Sequence, residues 1–431
     1  MSVSRAVELW VPSSKSITHR AFLLGALSEV PCLIERPLWG ADCRSTLSVL
    51  QALGARAHRV GDHVQFHPIE ALVPVAGTLD CGNSGTTLRL LSGQAARLSQ
   101  AVELSGDASL CARPNGPLLG ALEALGAHVT SCDGRAPLSL CGPLRAGTVA
   151  LPARVSSQYG SSLLLALCLV EGTSQLRMAA PVASRPYLHI TRRVAAAFGL
   201  SWTVTETEVG LQYDIVGGQR PTAAAYRVPG DWSGAAFPLV AGALAGAPMR
   251  LLGLEADDPQ GDRAIVSILE RFGQILRWEG TVLCLEPQPL RAAGTIDLGA
   301  TPDLFPVLVA LAAMCPGQTA FVGAPSLRHK ECDRIRAMAA VLAALGLRSV
   351  EAPDGLTVWG GAPRPGGSVS SEHDHRIYMA ARVLSLRAPW LQVDGAGCER
   401  VSYPRFEAHL AQIQAAVSAV ARGSDRREGD A

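Results

Sequence analysis

The chain has 431 residues, 48% hydrophobic and 17% charged, so it can bury large cores and is too long for one ordinary domain. Its net charge of +1 gives no electrostatic reason to expect nucleic acid or an anionic membrane as partner, and no apolar run reads as a membrane span or a signal-peptide core. Eleven cysteines are scattered singly, without metal or redox spacing, which reads as reduced thiols in a cytoplasmic protein.

The first informative stretch is Val11-Pro-Ser-Ser-Lys-Ser-Ile-Thr-His-Arg20, a Pro/Ser loop turning into a helix. A helix N-terminus offers free backbone N–H groups and the positive end of a dipole, and Lys15 and Arg20 add full charges, so the pattern is that of an anion site. Beyond it a helix ending in Leu-Gly or Phe-Gly recurs, with its glycine at 54, 126, 199, 273 and 346, at spacings of 72, 73, 74 and 73 residues. Each glycine is expected just past a helix C-terminus, where a positive φ is required. A sixth helix near 406–413 closes the series. Apolar core helices are expected over Thr86–Ala96, Ser161–Val170, Ser233–Ala245, Leu304–Ala313 and Arg376–Leu386, whereas the helices ending at glycine carry more charge and should face solvent. Each repeat is therefore a mixed β and α unit, and six repeats suggest two domains of three units, divided near 220–226. The polar end, Arg422–Ala431, is expected to be disordered.

Small-residue polar loops precede the apolar helices. In Cys81-Gly-Asn-Ser-Gly-Thr-Thr-Leu-Arg89, glycines allow close backbone approach to a ligand, with Arg89 one turn into the helix. Val155-Ser-Ser-Gln-Tyr159 offers two hydroxyls and an amide at a helix start, and Ser184-Arg-Pro-Tyr187 a hydroxyl, a cation and a phenol. Thr301-Pro-Asp303 sets a carboxylate at the head of an apolar helix. Leu327-Arg-His-Lys-Glu-Cys-Asp-Arg334 crowds ionisable groups, and Lys330 beside Glu331 reads as a proton-transfer pair. Glu372-His-Asp-His-Arg376 is spaced too tightly for a metal on one helix face; Arg376 gripping a carboxylate, oriented by its Asp and His neighbours, fits better. Recurring at the same place in successive repeats, these loops can converge on one cleft. Their cations, hydroxyls, amides and carboxylates suit a small phosphorylated and carboxylated substrate handled by acid–base chemistry.

In the order and spacing of Ser14-Lys-Ser-Ile-Thr-His-Arg20, Gly82-Asn-Ser-Gly-Thr-Thr-Leu-Arg89, Ser156-Ser-Gln158, Ser184-Arg-Pro-Tyr187, Pro302-Asp303, Arg328-His-Lys-Glu-Cys-Asp-Arg334 and Asp374-His-Arg376, the chain resembles the EPSP synthase family of enolpyruvyl transferases. The resemblance covers about residues 7–415. It implies an α/β (α+β) fold of two domains, each three βαβαββ units in an inside-out, barrel-like arrangement, with the active site in the cleft between them. The domains would be 1–13 with 227–421, and 14–226, followed by the tail 422–431. It further implies a monomeric cytoplasmic enzyme of the shikimate pathway that uses no metal or other cofactor and takes only small-molecule partners, with no nucleic acid and no membrane. Shikimate 3-phosphate would have its phosphate held by Ser156, Ser157 and Ser184, with Gln158 beside it. Its carboxylate would meet Ser16 and Arg20, and its hydroxyls Asp303, Lys330 and the position of Ser326. Phosphoenolpyruvate would set its carboxylate on Arg334 and Arg376 and its phosphate on Lys15, near Gly85 and Gln158. Asp303 and Glu331 would be the acid–base carboxylates, assisted by Lys15 and Lys330.

Two departures stand out against that pattern. Ser109 and Val401 occupy positions where the family carries cations for the phosphate of phosphoenolpyruvate, and Lys15 remains. Ser326 in place of Asn and Ser13 in place of Gly are milder. The departures leave an alternative open: a lyase that binds shikimate 3-phosphate, or shikimate, and eliminates the 3-substituent without phosphoenolpyruvate.

Overall fold

The computed structural model describes residues 6–428 except 75 and 154, with side chains as far as residue 418. Two compact units form: Ser13–Pro229, and the chain up to Pro12 together with the chain from Gly230 onward.

In the Ser13–Pro229 unit, three four-stranded sheets share one plan. The first runs Ala225–Arg227, Cys32–Glu35, His63–His67, Arg56–Val60; the second Thr78–Asp80, Val102–Ser105, Arg135–Cys141, His128–Cys132; the third Thr148–Leu151, Thr173–Ala179, Gly210–Val216, Thr203–Thr207. In each, the edge strand is parallel to the second strand, and an antiparallel hairpin completes the sheet. The helices are α1 (Lys15–Ala26), α2 (Ala41–Ala52), α3 (Gly85–Ala95), α4 (Ala108–Cys111), α5 (Gly116–Ala124), α6 (Ser157–Leu167) and α7 (Pro186–Ala197). Helices α1, α3 and α6 are buried along most of their length, and α3 packs on α6. Helix α6 starts a turn before the expected Ser161, because Ser156 caps it by accepting the Gln158 backbone N–H.

The other unit repeats the plan. Its sheets run Val7–Trp10, Met249–Leu252, Val282–Glu286, Ile275–Glu279, and Gly294–Asp297, Gly317–Val322, Gly355–Gly360, Arg348–Ala352. Its helices are α8 (Trp232–Ala245), α9 (Ile265–Arg271), α10 (Phe305–Ala313), α11 (Arg334–Ala344), α12 (His375–Leu384) and α13 (Phe406–Glu428). The last repeat keeps only the parallel pair Ser368–Val369 and Gln392–Val393, followed by α13 where a hairpin would come. The expectation of disorder over 422–431 falls on residues whose side chains, and at 429–431 the backbone, lie outside the described residues.

Each crossing of the chain is preceded by a strand that completes a sheet of the unit being left. Val7–Trp10 pairs with Met249–Leu252, and Ala225–Arg227 pairs with residues 33–35. The Val228 N–H still bonds Glu35 O, so the Ser13–Pro229 unit keeps the chain to Pro229. Among the described residues the sheets stay separate and do not close into a barrel. Their strands alternate buried and exposed residues, so one face rests on helices and the other is open. No helix among the described residues is long and apolar enough to cross a membrane.

All five glycines of the repeat have positive φ, between +68° and +94°. Each closes its helix by the same two bonds: at the first, Gly54 N–H donates to Gln51 O and Ala55 N–H to Leu50 O, and the equivalent pairs recur at Gly126, Gly199, Gly273 and Gly346.

Candidate active site

In the Ser13–Pro229 unit the polar loops gather at the N-terminal ends of the buried helices. Lys15, the first residue of α1, forms a 3.0 Å ion pair with Asp42 of α2. One turn on, Arg20 is 1% exposed. Its Nε donates to Thr191 Oγ1 (2.8 Å), Nη1 to Ser16 O (2.7 Å), and Nη2 to Ser161 Oγ (3.1 Å). No carboxylate pairs with it among the described residues, and burial lowers its pKa to about 10. A buried cation held by neutral oxygens suits an anionic ligand.

The starts of α3 and α6 are tied together. Arg89 Nη1 donates to Gln158 Oε1 (2.8 Å), and Gln158 Nε2 donates to Thr86 Oγ1 (2.9 Å). Gly85 begins α3, with Ser84 as cap, and Ser157 begins α6, with Ser156 as cap. Two hydroxyl-rich helix N-termini are therefore adjacent, the arrangement that binds phosphate. Ser184 has a φ of +50°, a left-handed conformation for a residue with a side chain, just before α7. Arg185 beside it is engaged by Glu206 at 2.8 Å through both guanidinium ends. Ser109 lies in the short α4, where its hydroxyl accepts from Arg113 Nη2 at 3.3 Å.

In the other unit the expected acid–base residues form one cluster around Arg334, the first residue of α11 and 1% exposed. Its Nε donates to Asp374 Oδ2 (2.7 Å), Nη1 to Asp303 Oδ1 (2.8 Å) and Nη2 to Glu331 Oε2 (2.8 Å). Burial works against its charge, but Asp374, Glu331 and Asp303 outweigh it and hold its pKa well above the usual arginine value. Asp303 sits in a one-turn 3-10 helix just before α10 and also meets Lys330 Nζ at 3.4 Å. Lys330 and Glu331, read from sequence as a pair, thus face Asp303 and Arg334 respectively. The Arg376 guanidinium is oriented by Ser233 Oγ (2.8 Å) and Asp303 Oδ2 (3.5 Å). Asp374, its sequence neighbour, accepts the Arg376 backbone N–H and the Arg334 Nε–H. Ser326 is exposed, and Val401 ends a 3-10 turn over Cys398–Val401.

Sequence reasoning did not single out Asp42, which pairs with Lys15, or Asp262. Asp262 is 7% exposed, and its Oδ1 has no hydrogen-bond partner. Burial, then the charge of Asp303, pushes its carboxyl pKa up, against the pull of Arg376 and Lys330. Only its place after Asp258 and Gln260, in a polar run between apolar elements, marked it. No group of three or more His, Cys, Asp or Glu residues among the described ones could hold a metal.

A chain of repeated mixed sheets, with buried cations among hydroxyls in one unit and a carboxylate–guanidinium cluster in the other, has the character of an α/β enzyme built by repetition. Residues 4–410 match the EPSP synthase (3-phosphoshikimate 1-carboxyvinyltransferase) family, and the chain belongs to that family. The 3-phosphoshikimate 1-carboxyvinyltransferase of Methanocorpusculum labreanum is 40% identical over 420 residues, 97% of this chain and 96% of that one. That of Halobacterium salinarum is 40% identical over 416 residues, 94% and 95% of the two chains. The EPSP synthase of Acinetobacter baumannii superposes with a TM-score of 0.77 at 29% identity, covering 95% of this chain and 96% of that one. These relatives carry the transferase name, and the elimination reading raised by Ser109 and Val401 finds no support among them.

Proposed function

We propose that the chain transfers the carboxyvinyl group of phosphoenolpyruvate to the 5-hydroxyl of shikimate 3-phosphate and releases phosphate. The observation that carries this reading is the cluster in which Arg334 binds Asp303, Glu331 and Asp374, beside Lys330 and Arg376. It fixes two carboxyl groups of the family's acid–base pattern in place. In the reaction, Asp303 takes the proton of the 5-hydroxyl as its oxygen bonds to C2 of phosphoenolpyruvate, and Glu331 delivers a proton to the C3 methylene. The C2–O bond to the phosphate of phosphoenolpyruvate then breaks, the departing phosphate takes the proton held by Asp303, and the Glu331 carboxylate takes back a C3 proton, which restores the double bond in the product.

Substrate roles follow the same distribution. Arg20 and Ser16 take the ring carboxylate, and Ser156, Ser157 and Ser184 the 3-phosphate, with Gln158 beside it. Asp303, Lys330 and Ser326 face the ring hydroxyls. Arg376 and Arg334 take the carboxylate of phosphoenolpyruvate, and Lys15, Gly85 and Gln158 lie toward its phosphate. Support comes from the neutral oxygens that hold Arg20 and from the paired helix starts at Gly85 and Ser157. The test is to incubate purified protein with shikimate 3-phosphate, with and without phosphoenolpyruvate, following free phosphate and product mass. A strict requirement for phosphoenolpyruvate and a carboxyvinyl product are expected. Phosphate release without phosphoenolpyruvate would overturn the reading.

A further inference from the structure

Two positions that would carry cations by resemblance are Ser109 and Val401, yet the start of α3 is not poor in positive charge. A Cβ placed on Gly85 would lie 3.4 Å from Nη1 of Arg113 and 3.4 Å from Nη1 of Arg89. The space above the first residue of α3 is thus where two guanidinium ends meet. The first-turn amides of Gly85 and Thr86 add the N–H donors that a helix start leaves without an intrahelical acceptor.

Arg113 is held there by two neutral side chains, one of them anchored in turn on a carboxylate. Its Nη2 donates to Asn83 Oδ1 (2.7 Å) and to Ser109 Oγ (3.3 Å). The Asn83 amide is itself oriented, because its Nδ2 donates to Asp107 Oδ2 at 2.7 Å. Asp107 is fixed in turn: it caps α4 through the Leu110 N–H, and its own N–H bonds Gly82 O. Arg113 Nε is buried without a hydrogen-bond partner, and no ion pair among the described residues includes Arg113. A partly buried guanidinium with an unmatched N–H and no counter-ion is held at a cost that a bound anion offsets. Ser109 is part of the device. An arginine there would compete for Asn83 and set a like charge four residues from Arg113.

We propose that Arg113, positioned over Gly85 by Asn83 and Ser109, is a phosphate-binding residue that grips the departing phosphate of phosphoenolpyruvate in place of the absent cations. The assignment rests on the transferase reading for the identity of the ligand, but not for the existence of the anion site. A planar guanidinium meets two phosphate oxygens at once, so one arginine recovers much of what two dispersed charges would supply.

Steady-state kinetics with each substrate varied, and calorimetric titration of the free protein with inorganic phosphate, test it on the wild type, Arg113→Gln, Arg113→Lys and Asn83→Ala. Arg113→Gln should raise the KM for phosphoenolpyruvate roughly 10- to 100-fold and weaken phosphate binding similarly, as loss of a charged hydrogen bond does. The KM for shikimate 3-phosphate should not move. Arg113→Lys should recover part of the loss, and Asn83→Ala should raise the same KM a few-fold; these two decide the matter if Arg113→Gln does not fold. Unchanged phosphate binding and an unchanged KM for phosphoenolpyruvate, or equal rises in both KM values, overturn the assignment while leaving the transferase reading intact. If the wild type makes no product from phosphoenolpyruvate yet binds phosphate through Arg113, the anion site stands and the transferase reading falls.

Discussion

Arg20 and Arg334 are both 1% exposed, and their surroundings could hardly differ more. Arg20 has hydroxyls and a carbonyl as acceptors, and burial depresses its pKa. Arg334 has three carboxylates, which raise its pKa against the same burial. At Arg20 the buried positive charge meets neutral oxygens, while at Arg334 it is already balanced by carboxylates. Under the proposed function the first arrangement serves as a receptor. The second fixes carboxylates in place, and a ligand carboxylate proposed to sit on Arg334 would compete with the groups already on it. Arg376 is held by Ser233 Oγ, the Asp303 carbonyl and a 3.5 Å approach to the Asp303 carboxylate.

The largest expected effect follows from the balanced cluster. Glu331→Gln keeps size and a hydrogen-bond acceptor toward Arg334 but removes the proton-transfer group, so kcat should fall roughly 10²- to 10⁴-fold with the fold retained. Turnover within a few-fold of wild type would remove Glu331 from the chemistry.

Replacing each buried arginine by methionine separates the two environments directly. Arg334→Met leaves three carboxylates without their shared cation, and should cost about 3–5 kcal/mol of stability. Arg20→Met removes a buried charge that has no ionic partner, and should leave the ligand-free protein within about 1 kcal/mol of wild type while abolishing shikimate 3-phosphate binding. Chemical denaturation and calorimetric titration read the two quantities. Similar stability losses in both variants would erase the distinction between receptor and balanced cluster.

A smaller effect tests the one carboxylate the cluster leaves unmatched. An unfolded aspartate titrates near about 4, whereas folded Asp262 keeps its proton to higher pH. Between those points the folded state binds more protons, so stability falls as pH rises through that window. Asp262→Asn removes the titration and should be more stable at neutral pH by on the order of 1–2 kcal/mol. Melting temperature measured against pH should give a flatter profile for the variant; parallel profiles would contradict the assignment.

What could be read from sequence follows the range of the interaction. The glycine caps were legible because one turn of helix decides them. The polar helix starts were legible because hydroxyls, glycines and a cation sit within a few residues of one another. Partners set by the tertiary fold were not. Lys15 meets Asp42 from the next helix, Arg334 reaches back to Asp303, and the completing strands Val7–Trp10 and Ala225–Arg227 pair with segments about two hundred residues away. Arg113 belongs with these. Its turn toward Gly85 depends on Asn83 and Asp107, from two other loops of the same repeat.

The smallest effect serves as the control, because it should not distinguish the units at all. Gly126 in one unit and Gly273 in the other have φ of +93° and +94°. A Cβ at Gly126 would meet Pro143 O at 3.2 Å and the Arg145 side chain; at Gly273 it would meet Pro289 O at 3.2 Å and the Arg291 side chain. The strain is the same in kind: a left-handed residue with a side chain, and a carbonyl slightly too near. Each Gly→Ala change should therefore cost about 1–2 kcal/mol, with no change in either KM. Equal losses would show that the repeats share one scaffold and that the difference between the units lies in what their loops carry. A loss at one site several times that at the other, measured by denaturation, would mean that the matching geometry hides different packing, and the comparison between Arg20 and Arg334 would then have to be read against unlike frameworks.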